Sequence, residues 1–347
     1  MSAFDARDVD LLDAEKQALI ARRLRLLGPG SPLFYRHPIH FARAEGVWMY
    51  DVDGTRYLDV YNNVPSVGHC HPHVVQAIAR QAATLNTHTR YLDDTVLAYA
   101  ERLLASFPPA LSNIAFTCTG SESSDLAMRV ARHATGGSGF VVTENAYHGN
   151  TTAVSEISPS SGPLVPVGAH VRTVPAPDAY RRPTANLGAR FADEVRGAIA
   201  DLRRHGIKFA ALMADSVFSS DGVFADPPGF LAAAADAARA AGGLVIVDEV
   251  QPGFARTGDA MWGFARHGLV PDVVVMGKPM GNGFPVAGVV AKPEVFEDFS
   301  RTAGYFNTFG GSPVAAAAGM AVLEVLEREQ LMANARDVGA HLRAGLR

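Results

Sequence analysis

The chain has 347 residues, 48% of them hydrophobic, with 31 basic and 35 acidic side chains and a formal net charge of −4. That is enough apolar material for a substantial core and too acidic a balance to suggest nucleic-acid binding, and no apolar run reaches membrane-spanning length. The first residues lack the apolar segment of a secretory leader, and Cys70 and Cys118 are the only cysteines; the expectation is a cytoplasmic protein with both thiols reduced.

Residues 5 to 27 are charged and leucine-rich at helical spacing (Leu11, Leu12, Ile20, Leu24, Leu27) and run up to the breaker Gly28-Pro29-Gly30-Ser31-Pro32. They read as an arm lying on another element or subunit. Val47 to Tyr50 and Arg56 to Val60, joined at Asp53-Gly54, predict a hairpin. Pro72 opens a helix to Leu85, with Val74, Val75, Ile78 and Ala82 on one face. Strands and helices then alternate: strand Ile114 to Cys118, helix 122–135, strand Phe140 to Thr143, helix 190–204, strand Phe209 to Ala214, helix 228–241. Two more strands and two closing helices, 315–327 and Leu331 to Leu346, complete the pattern. Such alternation predicts an α/β protein with a mainly parallel sheet covered on both faces. Ser158 to Asn186, rich in Pro, Ser and Gly, is expected to be a long loop.

The chemistry concentrates at two of these strands. Val273-Val274-Val275-Met276-Gly277 delivers Lys278 into a glycine-rich turn, and Leu244-Val245-Ile246-Val247 delivers Asp248, followed by Glu249-Val250-Gln251. Taken singly, a lysine after an apolar run reads as a strand-end charge and an aspartate there as a helix cap. Together, an acid and an amine brought to one sheet edge suggest pyridoxal phosphate: burial frees an amine's lone pair for a Schiff base, and the acid pairs with the pyridine nitrogen.

A second site follows another strand. Thr119-Gly120-Ser121 precedes a helix start, where backbone amides and a hydroxyl converge and the dipole favours an anion; the same residues would serve as an ordinary cap. No Gly-x-x-x-x-Gly-Lys-Ser/Thr motif surrounds Lys278, which argues against a P-loop nucleotide enzyme. His69, His71 and His73 alternate, but Pro72 bends the chain and no second ligand cluster is evident, so no metal site is expected.

Several blocks occur in one order: Gly46 to Gly54, Asn62-Asn63-Val64 with Gly68-His69-Cys70-His71-Pro72, Thr119 to Glu122, Ala146-Tyr147-His148-Gly149, Val247 to Gln251 with Gly253 to Gly258, Pro271 to Gly283, and Phe306 to Pro313. In these the chain resembles the class III aminotransferases of the fold-type I pyridoxal-phosphate enzymes. Within that family it is most similar to the branch of alanine–glyoxylate aminotransferase-like proteins and amino-alcohol phosphate phospho-lyases. The resemblance implies a mainly parallel seven-stranded sheet plus a small domain. It divides the chain into an arm and part of the small domain (1–60), a large cofactor domain (61–313) and connecting helices (314–347).

The resemblance also assigns roles. Lys278 and Asp248 are the catalytic pair, and Gly120 and Ser121 hold the cofactor phosphate. Tyr147 stacks on the ring beside His148, and Gln251 bonds the ring hydroxyl. Thr308 reaches the phosphate of the partner subunit in a homodimer. The implied reaction is transamination between small-molecule amines and oxo-acids. The alternatives are elimination of phosphate and ammonia from a phosphorylated amino alcohol, and a non-catalytic paralogue that binds the cofactor. One departure bears on the choice: most class III members have Glu-Pro where this chain has Asp215-Ser216, so Arg90, Tyr91, Ser219 and Ser220 become possible contacts for a phosphate or second carboxylate. The last helix also stops at Arg347 without a cap, whereas family members continue for about one small domain that supplies the arginine gripping the substrate carboxylate. The chain is therefore expected to be a truncated product with weak turnover on ordinary amino acids.

Overall fold

The computed structural model describes residues 4–30 and 32–346; Ser31 of the breaker and Arg347 at the chain end lie outside them. The chain divides into two units, Met1–Asn62 with Gly68–Cys70, and Asn63–Val67 with His71–Arg347. Among the described residues no helix is long and apolar enough to cross a membrane.

In the first unit, helix α1 (Ala14–Leu27) starts where the Asp13 carboxylate accepts the Lys16 amide at 2.8 Å. It ends at Gly28, whose φ of +67° a residue with a side chain would adopt only under strain. Only Ile20 of this helix is buried. Strands β1 (Phe41–Glu45), β2 (Trp48–Asp51) and β3 (Arg56–Leu58) form an antiparallel meander. The expected hairpin is its second half; the sequence pattern gave no sign of β1. Asp51 closes the turn by accepting the Asp53 and Thr55 amides at 3.0 and 2.8 Å. His69 bonds Asp59 at 2.7 Å.

The second unit opens with α2 (Pro72–Thr84) and α3 (Asp94–Leu104), then alternates: β4 (Asn113–Thr117), α4 (Gly120–Thr135), β5 (Gly139–Thr143), the short α5 (Thr152–Ser155), β6 (Val171–Val174), α6 (Leu187–Arg204), β7 (Phe209–Asp215), α7 (Phe230–Ala240), β8 (Leu244–Asp248), β9 (Val273–Met276) and β10 (Ala287–Ala291). Helices α8 (Pro293–Thr302), α9 (Pro313–Arg328) and α10 (Leu331–Gly345) follow. One seven-stranded sheet runs β4-β10-β9-β8-β7-β5-β6, parallel throughout except for β10, which is antiparallel to both its neighbours. The stretch expected to be a loop contains edge strand β6, where Val171-Arg172-Thr173-Val174 pairs with β5 alone. His71 and His73 bond separate carboxylates, Glu329 at 3.1 Å and Glu324 at 2.5 Å.

Both sheet faces are buried, which is why β8 and β9 read as unbroken apolar runs. Val245, Val247, Val274 and Met276 enter one core, with α2, α3, α6, α7 and α9. Ile246, Val273 and Val275 enter the other, with α4 and α8. Each fully buried valine contributes roughly 1.5–3 kcal/mol, so this double core holds the ends of β8 and β9 rigidly side by side. Those ends carry Asp248 and lead to Lys278.

Candidate functional site

A cavity of about 290 Å³ opens beyond the carboxyl ends of β4, β5, β7, β8 and β9, where ligands characteristically bind in open α/β sheets. Gly120, Ser121, Tyr147, His148, Asp248, Gln251 and Lys278 all line it, joined by Gly149, Asp215, Ser219, Ser220 and Val250. Thr308 is elsewhere, in a separate depression of about 530 Å³ with Thr87, Cys118 and Phe309.

Local sequence explains each placement. Helix α4 starts with a reciprocal capping box: the Thr119 hydroxyl accepts the Glu122 amide at 3.2 Å, and the Glu122 carboxylate accepts the Thr119 and Cys118 amides at 3.1 and 2.7 Å. The helix thus begins at Gly120, two residues before the apolar pattern suggested, and its first two residues, Gly120 and Ser121, line the cavity. Ser121 Oγ accepts the Asn150 amide at 3.1 Å. Gly149 comes so close that a Cβ there would lie 2.6 Å from Ser121 Oγ, and its φ is +141°. Glycine at the end of Tyr147-His148-Gly149 is therefore required both sterically and conformationally; the motif was visible in the sequence, but its reason was not.

Asp248 is buried, 4% exposed. Its Oδ2 meets His148 Nδ1 at 2.7 Å and its Oδ1 accepts the Val250 amide at 2.9 Å. His148 Nε2 is buried with no partner. Gln251 accepts Asn63 Nδ2 through Oε1 at 3.0 Å, which leaves its amide nitrogen as the donating end. Arg256 ties this corner by donating to the carbonyls of Gln251 at 2.6 Å and Asn63 at 2.9 Å. Tyr147 stands at the mouth, 45% exposed. Lys278 opens a 3-10 turn with φ +34°, a left-handed value uncommon for a residue with a side chain. Backbone strain of about 1–3 kcal/mol is the usual cost, and such residues cluster at functional sites.

Two further carboxyls were not foreseen as neighbours. Asp215 ends β7 directly beside Asp248 in the parallel register. Burial, with the Asp248 charge adding to it, pushes its carboxyl up to about 6. Glu249 is fully buried and pushed up to about 8 by burial, against the donors that hold it: Ser216 Oγ at 2.7 Å and the amides of Gly263 and Phe264, both at 2.8 Å. The Asp215-Ser216 departure thus has a local reason, because a proline at 216 could not supply that hydroxyl.

An anion cradle at a helix start, a buried acid, an amine and an aromatic wall fit pyridoxal phosphate, and the unpaired His148 Nε2 and the side-chain-free Gly149 beside Ser121 mark a site shaped for a polar ligand. The aminotransferase class-III family pattern matches residues 34–347. The chain belongs to that pyridoxal-phosphate-dependent family. It is 40% identical to the alanine–glyoxylate aminotransferase 2-like protein of Drosophila melanogaster, over 94% of this chain and 69% of that one. It is 36% identical to ethanolamine-phosphate phospho-lyase homolog 1 of Caenorhabditis elegans, over 96% and 75%. Among solved structures it superposes with TM-score 0.91 on an Arthrobacter phospholyase in complex with phosphoethanolamine, at 45% identity over 94% of this chain and 78% of that one. Its fold is accordingly fold type I.

Proposed function

We propose that this protein eliminates phosphate from a small phosphorylated primary amine of the amino-alcohol phosphate class, using pyridoxal phosphate. The observation that carries this reading is the cavity wall following β7, where Asp215, Ser219 and Ser220 stand in a segment that departs from the Glu-Pro pattern of most class III members. The Ser220 hydroxyl there supplies a donor for phosphate oxygens, while Ser219 donates to Asp215. The 45% identity to a phospholyase that was solved with phosphoethanolamine supports the same choice.

When bound, pyridoxal phosphate supplies a carbonyl that captures the substrate amine and a ring that delocalises the negative charge left when a neighbouring proton departs. Ser121 and the first amides of α4 would hold the phosphate, and Lys278 Nζ would anchor the carbonyl end. Tyr147 would cover the ring, Gln251 would donate to the ring hydroxyl, and Asp248 would keep the ring nitrogen protonated while His148 holds Asp248 in place. Lys278 Nζ would take the proton from the carbon bearing the substrate nitrogen. The bond from the adjacent carbon to the phosphate oxygen then breaks, the phosphate leaves with the electron pair, and hydrolysis yields ammonia and an aldehyde. Thr308, apart from this cavity and exposed beside Phe309, acts in the site of a partner copy, so the active form is a homodimer.

Transamination is the second reading, favoured by the 40% identity to the Drosophila aminotransferase 2-like protein. There the proton held at Lys278 Nζ would not be followed by loss of phosphate, and an oxo-acid would be needed for each further cycle. Incubation with phosphoethanolamine and no oxo-acid separates the two: continuous release of phosphate and ammonia is expected. A stop after one equivalent per site, with no phosphate released, would replace elimination by transamination.

A further inference from the structure

The cavity holds two carboxyls, and the reaction as described uses one. Asp215 and Asp248 end adjacent parallel strands in direct register, so both side chains leave the sheet on the same pleat and line the same cavity. Their compensation is unequal. Asp248 has the imidazole of His148 at 2.7 Å and an amide; Asp215 has only neutral partners, the Val217 amide at 2.8 Å and the Ser219 hydroxyl. Glu249, the residue after β8, adds a third carboxyl nearby, and Lys278 is the one lysine or arginine among the side chains lining the cavity. Two carboxyls so placed resist ionising together.

We propose that Asp215 is a second acid of the cofactor's ring-nitrogen side and gives up its proton to solvent when a cationic ring comes to rest against Asp248. The proposal relies on the reading of Asp248 as the ring-nitrogen partner. The bond broken is Asp215 O–H, the proton goes to buffer, and the carboxylate left behind adds negative charge that helps keep the ring nitrogen protonated. Cofactor loading is then proton-linked, and by reciprocity cofactor binds more tightly as pH rises toward the titration of free Asp215, with no further gain above it.

The test is calorimetric titration of the full chain, stripped of cofactor, with pyridoxal phosphate in buffers of different ionisation enthalpy. At about pH 5.5 wild type should release more protons per cofactor bound than Asp215→Asn, by a fraction approaching one, and at about pH 8 the difference should vanish. Ser219→Ala, which removes a donor that lowers the Asp215 titration, should carry the excess release to higher pH and keeps the test decisive if Asp215→Asn folds poorly. Equal release from wild type and Asp215→Asn at both pH values, or no displacement by Ser219→Ala, overturns the proposal. Asp248→Asn distinguishes the underlying reading: if it binds cofactor and releases protons as wild type does, Asp248 does not face the ring nitrogen. If it is impaired while Asp215→Asn is unaltered, the role of Asp215 alone fails.

Discussion

Lys278→Ala should abolish borohydride trapping of pyridoxal phosphate on the peptide containing residue 278 and lower turnover by about 10³-fold or more, since the proposed mechanism takes both its covalent anchor and its base from this amine. The fold should survive. The turn at Lys278 is held by backbone, with the Met280 amide on the Gly277 carbonyl at 3.0 Å, and the apolar strand before it is fully buried without help from the amine. Alanine still has a Cβ and keeps the strain of the +34° φ, so circular dichroism and the melting transition should be close to wild type. Label of undiminished intensity appearing on another lysine would remove Lys278 from the centre of the chemistry.

Asp248→Asn should cost about 10²–10³ in turnover while weakening cofactor binding far less. Asparagine preserves the shape and can still accept the Val250 amide, but it loses the charge that meets His148 Nδ1 at 2.7 Å and that would keep a ring nitrogen protonated. The proposed phosphate contacts at Gly120 and Ser121 and the amine of Lys278 are untouched, so binding should persist. The split between rate and affinity is the measurement. Turnover near wild type would make Asp248 a structural residue that merely orients His148.

Much of this arrangement could be read from the sequence because it is local. Valine-rich β8 and β9 announce themselves since both faces are buried; β8 ends in Asp248, and β9 leads within two residues to Lys278. The cap at Thr119 is likewise spelled out within four residues. What stayed hidden depends on partners far apart in the chain. Gln251 is oriented by Asn63 across 188 residues, and Asp215 meets Asp248 only because β7 and β8 pair in that register. Strand β10, Ala287-Gly288-Val289-Val290-Ala291, is too short and small-chained to stand out and takes its place from the neighbours it fits between. Edge strand β6 was masked by the Pro, Ser and Gly around it, since an edge needs only one partner and a brief β-branched run.

The inserted position of β10 has a consequence for the order in which the molecule is assembled. Within the sheet β4 has β10 as its sole neighbour, and the two strands are separated by roughly 170 residues of chain, a closure that is entropically costly and slow to find. The turn at Gly120 and Ser121 directly follows β4, whereas Asp248 and Lys278 follow strands that can pair as soon as they are made. During synthesis the strands that carry Asp248 and lead to Lys278 can pair first, and β4 gains its partner in the sheet only after Ala291 has emerged. The pairing of β4 with β10 is thereby one of the later events of folding.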